Sequence, residues 1–179
     1  MVNPADLSDA YRLHRTVLET APWFLSIRPL DVDHLELVFG FDFEAEGNRD
    51  AIIFDALLAD TPLAGLLERD RDEPLDVQPF IGLHLDRDDG TQAFIEVKSR
   101  TKGAEGSPQR FPSEPISVYL TVRRSGPIDR LEDLPTILAG LAGHAERLAE
   151  RRVIPSVLVP IRDAILRDRK STRLNSSHV

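Results

Sequence analysis

Cysteine is missing from all 179 residues of the chain. That excludes a disulfide framework, a thiolate zinc site and a thiol nucleophile. Aromatic residues other than phenylalanine are scarce, with one tryptophan and two tyrosines. Nowhere do about 18 apolar residues follow one another, so no segment reads as a membrane-spanning helix. The start, Met1-Val2-Asn3-Pro4-Ala5-Asp6, has neither the basic residues nor the apolar run of a signal peptide. These absences together give the expectation of a cytoplasmic protein that does not engage a membrane. Gly-x-Gly-x-x-Gly, Gly-Lys-Ser/Thr and Gly-x-Ser-x-Gly do not occur either, which removes the familiar nucleotide-dependent and serine-dependent chemistries. Basic charge is in short supply: 22 Lys and Arg face 30 Asp and Glu, a net charge of -8. Such a balance opposes approach to a phosphate backbone, and nucleic acid is disfavoured as a partner.

The end of the chain is of a different character. Asp168-Arg-Lys-Ser-Thr-Arg-Leu-Asn-Ser-Ser-His178 resembles, codon for codon, the translation of a sequencing-library adapter. Residues 168–179 are therefore set aside as an artefactual, disordered tail, as a fusion scar would be. Asn175-Ser176-Ser177, which has the form of a glycosylation sequon, lies inside it. Removing the tail's three basic residues and one acidic residue leaves 19 against 29, a net charge of -10. Residues 1–167 are expected to form one domain, long enough to bury about two thirds of the unfolded surface.

Hydrophobic periodicity assigns the elements. Asn3-Pro4 has the form of a helix start, and Leu7, Tyr11, His14 and Leu18 recur at helical spacing before Pro22. Trp23, Phe24 and Ile27 open a short strand closed by Pro29. Residues 34–43 alternate, with Leu35, Leu37, Phe39, Phe41 and Phe43 on one face. The run from Arg49 to Leu67 predicts a buried helix, interrupted at Thr61-Pro62. Strands are expected at 77–86, 92–101 and 116–124, the first two joined as a hairpin by Asp88-Asp89-Gly90. The segment 102–115 is long for a connecting loop, a place where function often resides. Leu134, Leu138, Leu141, Ala145 and Leu148 stripe a helix that Pro155 should end, and a last short helix follows from Ser156 to Leu166. Alternating strands and striped helices indicate an α+β fold: a mostly antiparallel sheet of four to five strands with helices on its apolar face.

Two constellations could carry chemistry. Asp86 with Glu96-Val97-Lys98 resembles the signature of PD-(D/E)xK nucleases, in which acidic side chains on neighbouring strands hold a divalent metal and activate water. That resemblance implies Asp86, Glu96 and Lys98 as catalytic residues and Mg²⁺ as the cofactor, with His84 nearby. It covers about thirteen residues, and the usual proline before Asp86 is absent. Otherwise Glu96 and Lys98 are the solvent side of an amphipathic strand, with no metal or cofactor. The second constellation is the polar sheet face, where Lys98, Arg100, Tyr119, Arg123 and Arg124 gather positive charge beside an aromatic ring, suited to an acidic peptide or a phosphate group. The alternative is a solvated face in which Glu96 pairs with a neighbouring arginine. His14 and His144 belong to helix stripes and read as packed, while His34, after Asp31 and Asp33, reads as a turn.

The element order and acidity also resemble the small type III secretion chaperones, acidic and cysteine-poor α+β domains that are often dimeric. Those chaperones place three strands before the middle helix and two after it, the reverse of the order read here, so no binding residue carries over. What the resemblance implies is a role: holding another protein, without catalysis, through a sheet face or a homodimer groove. A non-catalytic protein-interaction domain is the expectation, and a metal-dependent nuclease the alternative.

Overall fold

In a computed structural model, residues 6–68, 71–86, 90–99 and 115–176 are described, the side chains as far as Lys170. Asp88 and Asp89 of the expected hairpin turn, Arg100 and most of the 102–115 loop lie outside the described residues. The fold is α+β. Helix α1 spans Leu7–Leu25, strand β1 His34–Phe43 and helix α2 Arg49–Leu57. Strands β2 (Phe80–His84), β3 (Thr91–Lys98) and β4 (Ile116–Ser125) follow, then helices α3 (Leu134–Leu148) and α4 (Val159–Ser176). The strands form one four-stranded antiparallel sheet in the order β1-β4-β3-β2. Among the described residues no helix is long and apolar enough to cross a membrane.

The chain divides into two compact units. The first takes the chain up to Phe39 with Gly82–Phe94 and Leu120–Leu148. Here α1 lies against α3, whose Leu134, Leu138, Leu141, Ala145 and Leu148 are buried as their helical spacing requires. The second unit takes Gly40–Ile81, Ile95–Tyr119 and the chain from Ala149. In it α2 lies against α4, and Ile53 and Ile161 are fully buried.

Helix α1 differs from expectation at both ends. Its N-cap is Asp6, whose carboxylate accepts the Ser8 backbone N–H at 2.9 Å. It runs through Pro22 to Leu25, so Trp23 and Phe24 are helical and the short strand predicted there does not form. Proline in the last turn removes one donor, but its own carbonyl stays useful and accepts the Ile27 N–H at 3.0 Å. Ser26, at a left-handed φ of 54°, ends the helix.

The second unit shows what Thr61-Pro62 does. Helix α2 stops at Leu57 and a separate 3-10 turn occupies Pro62–Leu66, capped by the Thr61 side chain. Asn48 caps α2 by accepting the Ala51 N–H at 3.0 Å, and its amide donates to Glu73 and to the Pro74 carbonyl. Asp50, only 1% exposed, accepts the Val77 N–H at 2.9 Å. These two side chains fasten the extended segment 73–77 to the start of α2. Pro155 also departs from expectation. Instead of ending a helix, it lies within ten π-helical residues, Ala149–Leu158, that lead directly into α4. The wider winding relieves the clash a proline ring makes with the carbonyl one α-turn earlier. Helix α4 then continues past Leu166, through most of the adapter-like segment, to Ser176.

Candidate functional site

Strand alternation decides which side chains share a surface. On β4, Ile116, Val118, Leu120 and Val122 are fully buried, while Tyr119, Thr121 and Arg123 point to the other face. In the second unit, Lys98 joins Tyr119: its Nζ lies 5.6 Å from the ring centroid and 3.0 Å from Glu96 Oε2. Nearby, Ser117 Oγ donates to Asp42 Oδ1 at 2.6 Å. In the first unit, Arg123 donates through Nε and Nη2 to Glu36 Oε2 at 3.0 and 2.6 Å, and its guanidinium lies 5.5 Å from the Phe94 ring centroid. His34 Nε2 stands 3.8 Å from the same oxygen.

Two of the cations predicted to attract an anion already have a carboxylate: Lys98 has Glu96 and Arg123 has Glu36. The cross-strand arginine pair exists, but with Glu36 in place of Glu96. Arg124 does not belong to this face at all. One residue beyond Arg123, it takes the parity of the buried Val122 and lines a groove beside α3. Arg100 lies outside the described residues.

The nuclease-like residues are distributed as follows. Asp86 follows β2 and belongs to the first unit, where its backbone N–H donates to the Thr91 carbonyl at 3.2 Å. Glu96 and Lys98 belong to the second. Among the described residues, no group of three or more His, Asp or Glu side chains is placed to hold a metal ion. His84 is exposed and His14 half-buried on the inner stripe of α1. His144, read as packed, is half-buried and lines the same groove as Arg124.

An apolar surface lies where the sequence reading assigned a strand. Helix α1 carries two apolar faces. Tyr11, His14 and Leu18 are half-buried on the face toward α3, while Leu13 and Val17 are about half exposed on the other. At its end Trp23 is 84% exposed, Phe24 86% and Leu25 69%, and Leu30 in the following turn is 94% exposed. Beside them a groove of about 420 Å³ is lined by Leu18, Pro22, Trp23, Ile27, Leu131 and Pro135. The charges at its rim are spoken for, Arg15 by Glu19 at 2.7 Å and Glu132 by Arg130 at 3.6 Å. Helical periodicity continued across Pro22 would have disclosed this patch, since Leu13, Val17 and Phe24 recur at spacings of four and seven. Compared with family models, with curated proteins and with solved structures, the chain finds no match.

Proposed function

We propose that this chain is a non-catalytic protein-interaction domain that holds another protein against the outer face and C-terminal end of α1. The observation that carries this reading is the exposure of Trp23, Phe24, Leu25 and Leu30, four large apolar side chains within eight residues. Contiguous apolar exposure of this kind marks interaction surfaces, and tryptophan is the residue most enriched at their energetic centres. Magnitudes favour this surface over the sheet face. Covering each large apolar side chain contributes about 1.5–3 kcal/mol, whereas a half-exposed ion pair such as Lys98–Glu96 contributes about 0–1 kcal/mol and is already formed. The net charge of -8 opposes a second copy and favours a partner whose apolar patch has a basic rim. The role is chaperone-like in the limited sense that the domain holds and does not transform.

Trp23 is the chain's one tryptophan, so its emission reports on this site alone. The test compares proteins retained by the wild-type chain with those retained by a Trp23→Ser, Phe24→Ser double variant and by Lys98→Ala. Loss of a specific protein in the double variant alone, with a blue shift of Trp23 emission when that protein is purified and added back, is the expected result. An identical retained set for the double variant would refute the reading. A blue shift that grows with the concentration of the chain alone would replace the foreign partner with a homodimer.

A further inference from the structure

Along α3 and the turn that leads into it, Asp133, Thr136, Gly140 and His144 recur at spacings of three, four and four, so they follow one face of the helix. On it Asp133, Thr136 and Gly140 are exposed and His144 is half-buried. That face forms one wall of a groove of about 290 Å³, closed on the other side by Arg124 at the end of β4 and by Ile128 and Asp129. Asp133 and His144 are eleven residues apart, about 16 Å at helical rise, which sets the length of that wall. Gly140 lies midway and leaves it open: a Cβ added there would meet nothing within 4 Å.

Four ionisable side chains border this one groove, two acidic and two basic: Asp129, Asp133, Arg124 and His144. On the sheet, by contrast, Arg123 pairs with Glu36 and Lys98 with Glu96. Among the described residues these four groove side chains form no ion pair or side-chain hydrogen bond. Opposite charges kept apart across a concave, partly apolar surface suit a ligand that carries both signs. A simple anion would satisfy Arg124 and face two carboxylates; a simple cation would satisfy the carboxylates and face Arg124. Ile137 and Leu141 supply apolar wall between them.

We propose that this groove binds an amino-acid-sized zwitterion, its carboxylate held by Arg124 with His144 as hydrogen-bond donor, and its ammonium group by Asp129 and Asp133. The guanidinium offers a carboxylate two parallel N–H donors and keeps its charge at any physiological pH. The volume is at the small end of ligand pockets, which fits an amino acid and excludes a nucleotide. This site is distinct from the Trp23 surface and stands whether or not a protein binds there.

The groove can be filled without harming the fold. Gly140→Met places a side chain in open space and replaces a poor helix former with a good one, so stability should rise. Calorimetric titration of the full chain would use L-lysine, L-glutamate and γ-aminobutyrate as zwitterionic probes, with acetate and methylammonium as single-charge controls. The expected result is that at least one zwitterion binds with a Kd of about 1 mM or tighter, ahead of both controls. Gly140→Met and Arg124→Gln should each weaken it about tenfold or more, while the melting temperature of Gly140→Met equals or exceeds that of the wild type. Failure of all three zwitterions to bind, equal binding of acetate or methylammonium, or undiminished binding by a folded Gly140→Met variant would overturn the proposal.

Discussion

At the scale of single residues, burial and pairing separate the side chains that hold the structure from those that only decorate it. Asp50 is a buried acceptor for the Val77 N–H, and Asp50→Ala leaves that donor without its carboxylate. A loss of about 1–3 kcal/mol in denaturant unfolding is expected. The half-exposed pair on β3 behaves otherwise: Glu96→Ala and Lys98→Ala should each change stability by no more than about 1 kcal/mol, because water still reaches both side chains. Tyr11 is a third kind. Its hydroxyl is buried and finds no hydrogen-bond partner among the described residues, and burial first, then the neighbouring Glu146, pushes its pKa well above the usual phenol value. A pKa raised in the folded state leaves stability untouched below the unfolded value near 10 and removes it as pH rises beyond that. Tyr11→Phe should therefore be about as stable as the wild type or more so at neutral pH, and its unfolding midpoint should fall less between pH 9 and pH 11.

At the scale of elements, helices are fixed by caps at one end and by packing along their length. The Asp6 cap draws its carboxyl below the usual carboxylate range, chiefly through the Ser8 N–H it accepts. The sign follows: the cap is intact above pH about 4 and fails as pH falls through the lowered value. Faster amide exchange at Ser8 under acid conditions, lost in Asp6→Ala, would show it. Packing matters more than capping in the second unit. Ile161 of α4 is fully buried, and Ile161→Ala should cost about 2–5 kcal/mol with a corresponding fall in denaturation midpoint. Gly140 is the counterpart in α3, a helix position where stability yields to an open wall.

At the scale of the whole molecule, two units draw on every strand of one sheet, and the C-terminal helix is the element that reaches into the adapter-like residues. Its buried contacts, Ile161, Ala164 and Ile165, precede that segment. Within that segment, Arg169 donates to the Glu44 carbonyl at 3.2 Å, an exposed contact. Truncation after Arg167 should accordingly lower stability by no more than about 1 kcal/mol, or roughly 3 °C in melting temperature for a chain of this size. A larger fall would show that the foreign-looking residues contribute to the fold as native ones do. Resequencing the source locus checks their origin directly.

What the sequence determined by itself is periodic. Alternation at 34–43 and 116–124, the stripe of α3 and the break at Thr61-Pro62 each repeat within a few residues, and the α+β class follows from them. Proline misled twice, at Pro22 and Pro155, because a lost donor and a crowded ring are local penalties that a last helical turn or a wider winding can absorb. The functional surfaces depended on the tertiary structure more completely. Arg123 and Arg124 are neighbours in the chain, yet one meets Glu36, 87 residues away, and the other a groove beside α3. Which partner each finds is set by strand register and by the helix laid over the sheet. Neither leaves a periodic trace in the sequence, because a contact between distant segments imposes no spacing on either one.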